Sequence, residues 1–256
     1  MRYRITAAFL SVLVLVALSA PVLAQNRPGI DEFIRRANAV IAAQNPAGPP
    51  LPASDPRVQA LLASASDKTV FGQGPDMAQD LDRLTLLRQT LGKLVRPYVL
   101  EGIAPGAADM QAAIAANIRK YEAVLAPLSA LAMDEGAHAL SAMSVHAGSL
   151  AKGDRESVMK DIRELRQAEI QMYTGFLTMM PMYEDGPHAM HVAMLAAASD
   201  SAPAVAGALT VPQRRDMYFK IVRAAAFSKP GEAARFESIK QAFDGKECVG
   251  LCALGE

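Results

Sequence analysis

The sequence predicts an all-α protein, a bundle of about eight or nine helices, and three observations predict it. Residues that are apolar but for the acidic Glu169 recur at alternating four- and three-residue intervals through the longest charged stretch, as Val158, Ile162, Leu165, Glu169, Met172, Phe176 and Met179. That spacing lines one face of a helix. Hydrophobic residues make up 51% of the chain, yet there is no Trp and only 5% is aromatic, so Leu, Ala, Met and Ile must fill the interior. Such a composition favours helices over strands. No useful length of sequence alternates apolar with polar residues, and no segment repeats at a fixed period. The 256 residues suffice for one core, alone or with an arm.

The elements follow in order. Met1 to Ala24 has a basic head (Arg2, Arg4), an apolar run from Ile5 to Leu18 and a small-residue end, Val22-Leu23-Ala24. This is the pattern of a secretory signal peptide cleaved after Ala24. It implies a periplasmic or secreted protein with no stable membrane insertion after cleavage. The full chain balances 26 basic against 26 acidic residues; removing Arg2 and Arg4 leaves 24 against 26, a net charge of −2. With no basic cluster longer than a pair, nucleic acid is excluded as a partner.

Ile30, Phe33, Ile34, Ala37, Val40 and Ile41 mark an amphipathic helix within residues 25–45. The proline-rich stretch 46–56 holds the backbone extended and reads as a semi-rigid linker. The helical domain proper then spans 57–256. A helix so tethered docks on the main body or on a partner, and it is the expected contact element for a protein partner, through Ile30–Ile41.

Ser54-Asp55-Pro56 supplies a cap and a first helical residue for a short helix through Leu61 and Leu62. Gly72, Gly74 and Pro75 form a turn before Asp76, which caps a helix carrying Leu81, Leu84, Leu87, Leu91 and Leu94. The Gly-x-Gly lacks a third glycine, a Lys-Ser/Thr and a preceding strand, so it is no phosphate loop. After a kink at Pro97 and a break at Pro105-Gly106, residues Met110 to Leu125 form the next helix, bent or ended by Pro127. The helix beyond Pro127 carries two stripes, one through Ala130, Met133, Ala137 and Leu140, the other through Leu128, Leu131, Glu135, His138 and Ala142. Apolar on two sides, it belongs at the centre of the bundle.

Asp154 is expected to cap the long helix that Pro181 ends. Pro187 starts another through Leu195, and Ser199 to Pro203 reads as a turn. Thr210-Val211-Pro212 opens a helix through Met217, Phe219, Ile221, Val222 and Ala226. The last helix, Pro230 to Phe243, buries Phe236, Ile239 and Phe243 and stops at Asp244-Gly245.

Two constellations are candidates for chemistry. Glu135-x-x-His138, Glu169 and Asp185-x-x-His188 partly match the paired Glu-x-x-His ligands of di-iron helical bundles, but Gly186 and Pro187 interrupt the second pair. Met179, Met180, Met182, His188, Met190, His191 and Met194 offer thioether and imidazole, a set suited to copper. Methionine is also an ordinary gap-filler in a core short of aromatics, so packing is the expected role and no cofactor is expected. The metal candidates are therefore Glu135, His138, Glu169, His188 and His191, for copper or iron.

Cys248 and Cys252 are the only cysteines, and in an oxidising compartment they are expected to pair. The loop they close is short, so its chain-entropy contribution is about 2 kcal/mol. Ser149-x-x-Lys152 resembles a fragment of the penicillin-binding active site, but Ser149 lies at a helix end and no Lys-Thr-Gly follows. With no other catalytic motif present, the leading expectation is a non-enzymatic partner-binding or structural protein. The alternative is a periplasmic metal-binding protein.

Overall fold

The computed structural model describes residues 28–45, 48–67, 70–71, 81–104, 106–149, 152–180, 188–245 and 247–254. The signal-type segment, the Gly72–Asp76 turn and Asp185 lie outside them. The described residues form nine α-helices: α1 (Pro28–Ala43), α2 (Pro56–Ala65), α3 (Leu81–Val99), α4 (Met110–Lys120), α5 (Glu122–Ser149), α6 (Lys152–Met179), α7 (Ala189–Ala208), α8 (Val211–Ala225) and α9 (Ala233–Phe243), followed by a single 3-10 turn, Cys252–Leu254. There is no strand among them.

The centre is the pair α5 and α7, which share the largest contact of any two helices. Small side chains allow it. Ala197, Ala198, Ser201, Ala202 and Val205 on α7 are all buried, as are Ala139, Ala142 and Met143 on α5. Because this close contact outweighs local turn preference, α7 runs unbroken through Ser199–Pro203, where the sequence suggests a turn. Ser201 Oγ bonds back to Ala197 O at 2.6 Å and meets the hydroxyl of Tyr173 at 2.6 Å, so its polar group is satisfied inside the core.

Three other boundaries differ from expectation. The break between α4 and α5 falls at Tyr121, ahead of Pro127, which lies inside α5. Tyr121 packs edge-on against Tyr98 at 5.3 Å, and the next residue, Glu122, accepts a 2.8 Å bond from the Met190 N–H at the start of α7. A carboxylate there also opposes the positive end of the α7 dipole. The long helix α6 begins at Lys152, which puts Asp154 in its first turn. The final helix begins at Ala233, with Pro230 and the positive-φ Gly231 (φ 97°) in the turn before it.

Two caps match their sequence signals. Asp55 accepts from Arg57 N at the start of α2, and Thr210 and Gln213 form a reciprocal capping box on α8.

Of the two places open to the first helix, the main body or a partner, its apolar face takes the first. Ile30, Phe33, Ala37 and Val40 on α1 are buried in the common core, against α2 and α3. Gly29 approaches Val70 so closely that a Cβ there would meet the Val70 carbonyl oxygen at 2.6 Å. Arg36 donates to Ala60 O at 2.7 Å and to Ser64 Oγ at 2.6 Å on α2. Within the proline-rich stretch, Leu51 O accepts from the Tyr98 hydroxyl at 2.9 Å.

Candidate functional site

The long stripe of α6 puts Glu169 against α5, and the structure shows what receives it. Gly136 leaves a gap in the α5 surface into which the carboxyl fits, so that a Cβ on Gly136 would stand 1.8 Å from Glu169 Oε1. Glu135, the next residue, is also buried. Between the two carboxyls comes Arg88 from α3, its Nε donating to Glu135 Oε2 at 2.8 Å and its Nη2 lying 3.5 Å from Glu169 Oε1. Neither oxygen of Glu169 accepts a hydrogen bond, and the side chain is 0% exposed.

One guanidinium thus faces two carboxyls away from water. If both were ionised the cluster would carry a net negative charge, which a low-dielectric interior disfavours. Burial, opposed by Arg88 and assisted by the neighbouring Glu135, pushes the Glu169 carboxyl up to about 8. Burial also raises Glu135, with Arg88 pulling it back. At neutral pH the stable arrangement is an Arg88–Glu135 ion pair beside a protonated Glu169.

The other expected site residues go elsewhere. His138, one turn along from Glu135, stacks on Phe71 with ring centroids 4.2 Å apart. His188 Nδ1 lies 3.7 Å from Glu122 Oε2, and the buried His191 meets Glu232 Oε1 through Nε2 at 2.7 Å. Met179, Met180, Met190 and Met194 are buried members of the hydrophobic core. Among the described residues, no three His, Cys, Asp or Glu side chains are grouped to hold a metal. Where Glu135 and Glu169 do converge, Arg88 already supplies the cation.

Arg166, one turn before Glu169 on α6, points away from it. Its Nε donates to Ala208 O at 2.7 Å and its Nη2 donates to Leu251 O. Arg214 acts beside it, with Nη1 donating to Gly245 O at 2.8 Å and Glu247 O at 2.9 Å and Nη2 reaching Leu209 O at 3.4 Å. The two arginines gather carbonyls that end α7 and those of the segment around the Cys248–Cys252 disulfide (S–S 1.97 Å). Carbonyls at a helix C-terminus carry partial negative charge, so a buried cation finds partners there without a carboxylate.

Arg88 is the residue that sequence reasoning missed. The signal was present, since Arg88 follows Leu84 by four residues and precedes Leu91 by three, which places it on the buried leucine face of α3.

No known protein family, curated protein or solved structure matches the chain.

One surface stands out. On α8 the buried residues are Arg214, Met217, Ile221 and Ala224. Val211, Phe219 and Val222, at 40%, 50% and 41% exposure, face the opposite way together with Arg215 and Ala226. The Arg215 guanidinium lies 5.8 Å over the Phe219 ring. At 100° per residue the apolar residues of this helix separate into an inner stripe with Met217 and Ile221 and an outer one with Phe219 and Val222.

Proposed function

We propose that the chain is an exported helical protein that acts without catalysis, by binding a protein partner through the outer face of α8. The observation that carries this reading is the contiguous exposed stripe of Val211, Phe219, Val222 and Ala226 with Arg215 among them. Apolar surface gathered on one helix face is the mark of a contact region, and aromatic residues with arginine are its favoured composition. The buried ionisable groups support a non-catalytic role, because Arg88, Arg166, Arg214 and His191 each serve a structural contact. Export is supported by the Met1–Ala24 signal pattern and by the disulfide between Cys248 and Cys252. Among the described residues no helix is long and apolar enough to cross a membrane.

The test is a photo-reactive amino acid at position 219 in the intact exported protein, with the same group at the exposed Glu237 on α9 as the control. Irradiation should give a discrete protein adduct from position 219 alone, and mass spectrometry of the product should find the mature terminus at Gln25. Equal labelling from both positions, or none from 219, rejects the contact face; an intact Met1 rejects export by cleavage. The rival reading, copper or iron held by His188 and His191 or by Glu135, His138 and Glu169, requires these groups to leave their present neighbours. Metal stoichiometry in the same purified sample decides it.

A further inference from the structure

We infer that the partner of the outer α8 face is a second copy of this chain, docked antiparallel across a two-fold axis beside Phe219. This rests on the reading of α8 as a contact face and adds to it the identity of what is bound. Charge placement carries the step. Asp216 and Arg223 are both exposed, and they are seven residues apart, two helical turns less about 20°, so they lie on the same flank of the apolar stripe. Their midpoint falls between Phe219 and Lys220.

When two antiparallel helices are related by a two-fold axis through that midpoint, each flank meets the same flank of its mate in reverse order. Asp216 then faces Arg223 of the second copy, and Arg223 faces Asp216 of the second copy. The two Phe219 rings meet beside the axis, bordered by Val222 and Arg215. The flank of Asp216 and Arg223 is thus complementary to itself in charge, and the stripe of Phe219 and Val222 in hydrophobicity, as an isologous interface requires. Asp216 also holds Lys220 at 2.8 Å within its own helix. At 66% exposure its carboxylate has room for both cations. In a parallel pair, by contrast, this flank would meet the opposite one, and neither Asp216 nor Arg223 would find its complement.

The experiment is a charge swap read by sedimentation equilibrium on the full mature chain. The parent should be dimeric. Asp216→Arg and Arg223→Asp should each weaken the dimer on the order of tenfold, since each replaces two attractive pairs with two repulsive ones. The double variant Asp216→Arg/Arg223→Asp should restore parent affinity, an outcome that a change in net charge or folding does not produce. A monomeric parent at about 100 µM, far above the dissociation constants of specific complexes, overturns the proposal. So does a double variant no tighter than the singles. If the photo-adduct at position 219 contains a different protein, self-association fails while the contact-face reading stands; if there is no adduct, the contact-face reading itself fails.

Discussion

Arg88 and Arg166 both cross between helices into the interior, yet one meets carboxylates and the other meets carbonyl oxygens. At Arg88 the partners are the ionisable side chains Glu135 and Glu169, so the local charge depends on protons. At Arg166 the partners are Ala208 O and Leu251 O, fixed dipoles that do not titrate. The first site therefore concentrates electrostatic cost, while the second distributes a cation over groups that a helix end leaves unpaired anyway. Burial can be matched in both ways, but only the first couples folding to pH.

The comparison breaks most visibly at Arg88. Arg88→Met should destabilise the protein by about 3–5 kcal/mol in urea unfolding at neutral pH, because it leaves Glu135 without its cation. If the loss is under about 1 kcal/mol, the three groups do not form a coupled buried site. Arg166→Met should cost less, about 1–3 kcal/mol, since the stranded groups are neutral carbonyls. A loss equal to that of Arg88→Met would show that neutral and charged partners are equivalent here.

The dependence on pH is the most diagnostic. Because burial raises Glu169 from 4.5 to about 8, the folded chain keeps a proton that the unfolded chain has released between those values. The native state binds more protons in that window, so stability is full below about pH 4.5 and falls as pH rises toward 8, by up to about 1.4 kcal/mol per pH unit from this group. Glu169→Gln should flatten the decline and leave the acidic end of the curve near the parent's. Arg166→Met should lower the whole curve without changing its slope. A parent whose stability rises between pH 5 and 8, with or without Glu169, contradicts the raised carboxyl.

The helical architecture was legible because each helix carries its own signal. Asp55-Pro56 and Thr210-Val211-Pro212 announce starts, and the Phe236, Ile239 and Phe243 face announces burial. Less legible was what depends on distant partners. Pro203 reads as a breaker until the alanines of α7 are seen against α5, and prolines 46–56 read as a spacer until Tyr98 is seen holding Leu51. At the candidate site, Glu169 stood out as the acidic member of an apolar stripe. Its cation lies 81 positions earlier, 169 minus 88, on a helix whose leucines draw the eye. Arg166 was a neighbour in sequence only; one turn before Glu169, it projects toward the end of α7 and toward Leu251 in the disulfide segment.

The two arginines that clasp the disulfide segment also impose an order of events on a chain made from its amino terminus. When the ribosome has delivered α6, α7 and α8, Arg166 and Arg214 can reach Ala208 O and Leu209 O, but Gly245, Glu247 and Leu251 have yet to be synthesised. Until they arrive, both guanidiniums are half-served and the pocket that Leu251 and Cys252 fill lies open to water. This corner is thus complete only once Gly245, Glu247 and Leu251 are in place, and the Cys248–Cys252 bond closes within that same stretch.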